Sequence, residues 1–118
     1  MDRKVIIKKG ENKRNVGFDD ILYVEEEIKY SRVYHLGESK VVTMYYYLDA
    51  MEAILNNELF FRCHPTFLVN ILHIKRIYKT SLGVHRILLV NGAKIKLDKD
   101  RREQLIEYMC EKLNITII

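Results

Sequence analysis

The sequence predicts a mainly β domain with two flanking helices. Three observations lead to this fold class. Most of the chain consists of short apolar runs separated by turn-forming residues, which is the pattern of strands. Only two segments repeat their apolar residues at helical intervals. Asn91-Gly92 separates two apolar runs, and this dipeptide is a strong signal for a two-residue hairpin because both positions tolerate a positive φ.

The first half of the chain contains four predicted strands. Residues 5–7 form an apolar run followed by Lys8 and Lys9, and we expect this strand to end at Gly10, with a turn over residues 11–15. Aromatic and β-branched residues are frequent in the other three runs, which favours strands. These runs cover residues 21–24, 30–36 and 41–46, and the last two are expected to form a hairpin across Glu38-Ser39.

Two segments are predicted helices. In residues 48–55 the apolar side chains recur every three or four residues, and Asp49 and Glu52 face outward. A second apolar stripe contains Leu105, Tyr108, Met109 and Leu113. Asp98 or Asp100 is expected to cap its start, the latter together with Glu103 in a capping box.

Three further strands are predicted between the helices. They cover residues 74–78, 84–90 and 94–97, and turns at residues 81–83 and 91–92 separate them. We find no internal repeat, linker or domain boundary, so residues 1–118 are expected to form a single domain.

Composition excludes several classes of protein. The 118 residues are 48% hydrophobic and contain one proline and five glycines, which excludes a disordered or collagen-like chain. Two cysteines do not make a disulfide framework, and no Cys/His cluster has zinc spacing, so neither a metal nor a cofactor is expected. The sequence shows neither a signal peptide nor an apolar run of membrane-spanning length. We therefore expect a cytoplasmic protein without membrane contact.

Charge is distributed unevenly along the chain. The formal net charge is +4, but residues 71–102 contain nine basic residues against two acidic ones, whereas residues 17–59 contain three against nine. One electropositive face that binds phosphates would explain this asymmetry. An ordinary solvated face of a basic protein explains it equally well, so charge alone leaves both interpretations open.

Residues 60–70 are the most informative segment, because their apolar and polar residues alternate with neither the helical nor the strand period. Phe60 or Phe61 and residues 67–69 are expected in the core, which leaves Arg62, His64 and Thr66 to point elsewhere. Asn70 is expected to bond backbone groups at a turn. The alternative is an irregular connection with a hydrogen-bonded core histidine.

This segment resembles the LytTR DNA-binding domain family of bacterial transcriptional regulators. The family pattern is Phe-x-Arg-x-His, then two polar residues, an aromatic residue, an apolar pair and finally Asn. The matching residues here are Phe60, Arg62, His64, Phe67, Leu68, Val69 and Asn70. Residues 20–25, the helix at 48–55, and Asn91-Gly92 with residues 95–99 also resemble family elements in the same order, so the resemblance covers about residues 17–113.

The resemblance implies a stack of small antiparallel sheets that binds double-stranded DNA for transcription regulation, with loops and strand ends in the major groove. Family members are commonly response regulators of two-component systems, and they tend to bind pairs of short direct repeats. Carried over by position, the DNA-contacting positions are Lys29, Ser31, Arg32, His64, Pro65, Thr66, Lys99, Asp100 and Arg101. Arg32 has the fork that binds guanine or phosphate bidentately, while Lys29, Lys99, Arg101 and Arg102 are expected to contact phosphates.

The sequence departs from the family at several of these positions. Pro65 and Thr66 stand where relatives have a basic residue or Asn followed by Ser, and Pro65 has no backbone N–H to donate. Asp98 replaces the usual Ser, and Asp100 stands where an Arg often contacts DNA. About 16 residues precede the matched region, so no receiver domain is expected within this sequence. The chain is then either a stand-alone regulator, which would need another switch such as a partner protein, or a fragment of a longer one, and a homodimer is a possible assembly.

Two other functions compete with DNA binding. A degenerate family member acting as a protein-interaction module would explain Pro65, Asp100 and the acidic stretch at residues 17–59. An enzyme is not expected, because adjacent side chains in an extended segment point to opposite faces, which makes Cys63 and His64 a poor nucleophile and base pair.

Overall fold

The computed structural model describes residues 4–9, 12–37, 40–56 and 58–116. The strands of this part are β1 (Lys4–Lys9), β2 (Asn12–Gly17), β3 (Ile21–Glu26), β4 (Ser31–His35), β5 (Val41–Met44), β6 (Phe60–His64), β7 (Phe67–Asn70), β8 (Ile74–Lys79), β9 (His85–Leu89) and β10 (Lys94–Lys96). The helices are α1 (Leu48–Ile54) and α2 (Arg102–Leu113), with short 3-10 turns at Phe18–Asp20, Ile71–His73 and Lys99–Arg101. No helix in these ranges is both long and apolar enough to cross a membrane.

The strands form three small antiparallel sheets. β1 pairs with β2, the five-stranded sheet has the order β5-β4-β3-β7-β6, and the three-stranded sheet has the order β10-β9-β8. The predicted class, a mainly β stack of small antiparallel sheets with two flanking helices, is confirmed.

The five-stranded sheet separates two apolar cores, because successive residues of a strand face opposite sides. Val24, Val33 and Leu68 face α1 and pack with Leu48 and Met51. On the other side, β6 and β7 direct Cys63, Phe67 and Val69 toward the three-stranded sheet and α2, where they pack with Ile87, Ile95 and Leu105. Each helix therefore covers a different core.

Residues 60–70 form the β6–β7 hairpin, so the alternative of an irregular connection is wrong. All four residues of β7 are buried, since this strand is covered on both faces. A strand buried on both faces has no polar side, which is why the alternation of a half-exposed strand is missing. A register shift between Arg62 and His64 interrupts the pattern of β6 as well.

Asn70 ends β7 and joins three parts of the backbone. Its buried Nδ2 donates to the carbonyl of Ile21 at 2.8 Å and to that of Phe18 at 3.3 Å. Its Oδ1 accepts from the backbone N–H of Leu72 at 2.9 Å. The expectation that Asn70 bonds backbone groups at a turn is confirmed.

Several predicted boundaries need correction. The turn expected at residues 11–15 is mostly strand, because β2 begins at Asn12 and pairs along its length with β1. Gly10, Glu11 and the Glu38-Ser39 turn lie outside the described residues, although β4 and β5 pair as the hairpin prediction requires. The strand predicted to reach residue 46 ends at Met44, and the side chains of Tyr45, Tyr46 and Tyr47 are exposed.

The Asn91-Gly92 hairpin exists, but its loop is longer than predicted. Gly92 has a φ of 90°, whereas Asn91 does not have a positive φ. The N–H of Gly92 donates to the carbonyl of Leu89 at 2.9 Å, and the N–H of Leu89 donates to that of Ala93. This is the three-residue loop in which a turn is followed by a glycine in the left-handed region.

The start of α2 uses one of the two predicted caps. Asp98 precedes the 3-10 turn at Lys99–Arg101, and its side chain accepts from the N–H of Asp100 at 3.3 Å. The residue that caps α2 itself is Arg101, which makes no side-chain cap bond. Asp98 therefore caps the 3-10 turn that leads into α2, and the Asp100 and Glu103 capping box does not form.

Candidate nucleic-acid interface

Three segments from distant parts of the sequence meet at one end of the sheet stack. The N–H of Glu26, at the end of β3, donates to the carbonyl of Thr66 at 2.9 Å. The N–H of Asp98 donates to the carbonyl of Cys63 at 2.8 Å. These bonds hold the β3–β4 turn, the β6–β7 turn and the 3-10 turn before α2 side by side, and the predicted DNA-contacting residues lie on or beside them.

The β3–β4 turn presents two exposed cations. Lys29 is exposed and has a φ of 69° in the tight turn closed by the Glu27 N–H and the Tyr30 carbonyl, at 2.7 Å. Arg32 follows on β4, also exposed, with its guanidinium 5.8 Å from the centroid of the Tyr30 ring. Hydrogen bonds that Arg32 donates to the hydroxyl oxygens of Tyr34 and Tyr30 raise its pKa above the ordinary value, so it stays charged at any physiological pH.

Ser31 is not at the surface, which corrects its expected role. Although Ser31 lies between Lys29 and Arg32 in the sequence, its side chain is fully buried. Its hydroxyl donates to the carbonyl of Tyr46 at 2.7 Å. The alternation of β4 explains this placement, because Ser31 and Val33 face the core while Arg32 faces solvent. Ser31 is therefore not available to contact DNA.

The β6–β7 turn fixes the orientation of the His64 ring. Nδ1 of His64 accepts from the backbone N–H of Thr66 at 3.2 Å and lies 3.1 Å from the Thr66 hydroxyl oxygen. Since Nδ1 is an acceptor, the neutral ring carries its proton on Nε2. Burial, and next the positive charge of Lys96, lower the pKa of His64, and this outweighs the opposite effect of Asp98. His64 thus offers an Nε2–H donor at neutral pH.

We expect an NMR titration to place the pKa of His64 below its ordinary value of 6.5. Because the unfolded chain then binds the proton more readily, the free energy of unfolding should be highest above pH 6.5 and fall as the pH drops toward the folded-state value. DNA phosphates near the ring should raise its pKa again. His64→Gln should remove this part of the pH dependence, and an unchanged dependence in that variant would assign it to another group.

Arg62 is occupied by the protein itself and is not free to point elsewhere. One guanidinium nitrogen lies 2.9 Å from Asp49 and 3.2 Å from Glu52, both on α1. Nε donates to the carbonyl of His64 at 3.3 Å, and the remaining nitrogen donates to that of Pro65. Arg62 therefore clamps the β6–β7 turn onto α1.

The 3-10 turn before α2 contributes one free cation and one that packs on the protein. Lys99 is exposed. Arg101 lies 5.2 Å from the Phe61 ring centroid, and its Nε donates to the carbonyl of Arg62 at 3.1 Å. Arg102, the first residue of α2, is half-buried, and Asp100 is exposed between these cations. Only Lys99 is thus fully available at this turn.

Residues that the sequence interpretation did not select complete the site. A cleft of about 390 Å³ lies between the β6–β7 turn and the three-stranded sheet, and its lining includes His64, His85, Arg86, Lys96 and Lys99. The charges of Arg32 and Lys96 both act on Glu25, although burial raises the pKa of this carboxyl overall. The signal for Arg86 and Lys96 was their alternation with Ile87 and Ile95, which places them opposite the core.

Cys63 is buried beside this site and takes no part in it. Its thiol lies 3.4 Å from the carbonyl of Lys96 and 3.7 Å from that of Phe67, and burial raises its pKa to about 12. Among the described residues, no group of three or more potential ligands is arranged to hold a metal ion.

We expect Cys63 to resist alkylation by iodoacetamide in the folded protein, because only the thiolate reacts and burial disfavours it. The half-buried Cys110 serves as the internal reference and should react first. Mass spectrometry of the digested protein measures both. Equal labelling of the two cysteines under native conditions would contradict the burial argument.

Comparisons with known proteins identify a matching family and a similar fold. The family model of the LytTr DNA-binding domain matches residues 11–109. Among solved structures, the chain is similar to the LytTr DNA-binding domain of a protein described as a methyl-accepting/DNA response regulator from Bacillus cereus. The identity is 26%, the match covers 90% of this chain and 95% of that one, and the TM-score is 0.74. No curated protein gives a significant match. A family model matched over most of the chain, together with the same fold, shows that the chain belongs to the LytTr DNA-binding domain family.

Proposed function

We propose that this protein regulates transcription by binding specific double-stranded DNA sequences, with its turns and strand ends in the major groove. The observation that carries the proposal is the convergence of the three segments described above. Lys29, Arg32, His64 and Lys99 reach the surface at one end of the sheet stack, although up to 70 positions separate them in the sequence. A duplex that contacts this end meets donors and cations from all three segments.

Each group fits a particular part of DNA. The fork of Arg32 matches O6 and N7 of guanine, and the Nε2–H of His64 is a donor for a base edge or phosphate oxygen. Lys29, Lys99 and the outer nitrogens of Arg101 and Arg102 fit phosphates, which position the protein without reading sequence. Thr66 has a hydroxyl that serves either purpose. Glu25 and Asp100 repel phosphates but accept from N4 of cytosine, so they would favour particular bases.

The family resemblance also supports an arrangement on DNA. We propose that two copies bind a pair of short direct repeats, either through a homodimer or through a regulatory partner protein. If footprinting shows that the protein binds one isolated repeat as tightly as the pair, the paired arrangement is wrong.

Selection of bound fragments from the source genome, followed by fluorescence anisotropy, tests the proposed function. Because phosphate contacts release counterions, the logarithm of the association constant should fall linearly with the logarithm of the salt concentration. Absence of binding at low salt, or binding that is insensitive to salt, would overturn the proposal. If a stable protein partner then co-purified with the domain, the interaction-module alternative would replace it.

Arg32→Ala should weaken binding to the selected DNA by about 1–3 kcal/mol and relax the preference at one base position. Arg32→Lys is the matched variant, since it keeps the charge but loses the bidentate fork. If Arg32 reads a base, the lysine variant should lose the preference as the alanine variant does. Full rescue by lysine on every sequence would identify Arg32 as a phosphate contact only.

A further inference from the structure

The outward side of the three-stranded sheet carries a concentration of cations, of which only Arg86 and Lys96 line the cleft of the candidate interface. The register places Tyr78, Arg86 and Lys96 in one row across the sheet and Arg76, Leu88 and Lys94 in the next. Between these rows lies the row of Ile77, Ile87 and Ile95, which packs into the core on the opposite side. We call the six outward residues the outer face.

The outer face carries positive charge that no ion pair neutralises within the described part of the chain. The three strands contain six Lys or Arg residues, and no Asp or Glu. Within the described part of the chain, none of its four cations forms an ion pair, and the guanidinium of Arg76 lies 5.3 Å from the centroid of the Tyr78 ring. Like charges grouped in this way repel one another, and a bound polyanion relieves that repulsion.

Protection of sheet edges does not explain the whole pattern. Charged residues on edge strands commonly prevent pairing with other chains, and this accounts for lysines on β8 and β10. Arg86, however, lies on β9, the central strand, which has no free edge. Edge protection therefore does not explain Arg86, which lies between Tyr78 and Lys96 in its row.

The outer face continues directly from the cleft beside His64. Arg86 and Lys96 line this cleft together with His64, Pro65 and Lys99. Arg76 and Lys94 lie one row farther away, about 7 Å along the strands, and about 10 Å from each other across the sheet. A duplex presents one charge per roughly 1.7 Å of its axis, so several phosphates fall within this area.

We infer that the outer face is a second phosphate-binding surface, which holds the duplex that flanks the sequence contacted by the three turns. This inference rests on the proposed function and extends its binding surface. Its consequence is that affinity depends on the length of DNA beyond the recognised sequence, through contacts that do not read bases.

The test compares two duplexes, a selected binding site trimmed to its minimal length and the same site extended by about ten base pairs on each side. Arg76 and Lys94 lie outside the cleft, so the double variant Arg76→Gln, Lys94→Gln removes charge only from the outer face. The control Lys40→Gly, Lys112→Gln removes two charges elsewhere, and glycine suits the positive φ of Lys40, which is 59°.

For the wild-type chain, the extended duplex should bind more tightly and with a steeper salt dependence. The outer-face variant should lose on the order of tenfold in affinity for the extended duplex near 0.1 M salt, and its slope should decrease by about 1.8, for two phosphates. Its affinity for the minimal duplex should stay near the wild-type value, and the control should keep the length dependence.

Two results overturn the inference alone. The first is that the wild-type chain binds the extended duplex no more tightly than the minimal one. The second is that the outer-face variant loses the same affinity on both duplexes, which would place Arg76 and Lys94 in the primary interface. Failure of the wild-type chain to bind either duplex overturns the proposed function itself.

Discussion

Replacing Asn70 with alanine is expected to lower the free energy of unfolding by about 4 kcal/mol, because it removes hydrogen bonds to three backbone groups, of which the Phe18 carbonyl keeps its bond from the Ile21 N–H. The carbonyls of Phe18 and Ile21 and the N–H of Leu72 all bond to this one side chain, and the side chain is fully buried. A domain of this size has a total stability of roughly 6–18 kcal/mol, so the loss is a large part of it.

Thermal unfolding followed by circular dichroism measures this effect, and a decrease in Tm of about 15 °C is expected for a loss of this size. Asn70→Asp should be as harmful at neutral pH, because its carboxylate would face two carbonyl oxygens. The control is Asn91→Ala, since Asn91 is exposed and accepts only one hydrogen bond, from the N–H of Ala93 at 3.1 Å. A loss below about 1 kcal/mol for Asn70→Ala would mean that the freed groups find other partners.

Arg62→Ala is expected to weaken both stability and DNA binding, the first by about 2 kcal/mol and the second by about tenfold. The stability loss follows from the bonds that Arg62 donates to the carbonyls of His64 and Pro65. The binding loss is indirect. Without the clamp onto α1, the β6–β7 turn no longer holds His64 and Thr66 in one position against the duplex.

Chemical denaturation and anisotropy on the same samples separate the two effects of Arg62→Ala. Arg62→Lys should not restore either property, because an ammonium group does not reproduce the fork that reaches α1 and the turn together. Asp49→Asn is the control for the ion pair. Asp49 is exposed, so its loss should cost less than about 1 kcal/mol in stability. Unchanged DNA affinity in a folded Arg62→Ala protein would show that the turn keeps its position without the clamp.

Local patterns in the sequence predicted much of the fold. The stripes beginning at Leu48 and Leu105 predicted both helices, and the alternation in residues 30–36 predicted β4, because amphipathic period depends only on neighbouring residues. Residues 60–70 showed no period, since β7 is buried on both faces, and burial on two faces is a tertiary property. β2 is a second case in which tertiary structure decides. Its polar residues indicated a turn, but they form a strand by pairing with β1.

The candidate site was only partly predictable for a related reason. The motif around His64 and the resemblance it supports indicated which three segments would form the site. They did not indicate that the hydroxyl of Ser31 donates to the Tyr46 carbonyl, or that Arg62 is held by α1. They also missed Arg86 and Lys96, because those residues join the cleft only when the three-stranded sheet packs beside the β6–β7 turn.

The sequence by itself determined the class of this protein: a mainly β chain with two amphipathic helices, a basic stretch over residues 71–102, and the ordered motifs of its family. These properties follow from residue type and short spacing, which the linear chain already contains. Only the tertiary structure decided which side chains are free to bind and which cations share one face. That decision depends on contacts between residues far apart in the chain, such as Asp98 with Cys63 and Glu26 with Thr66, and spacing along the sequence does not contain them.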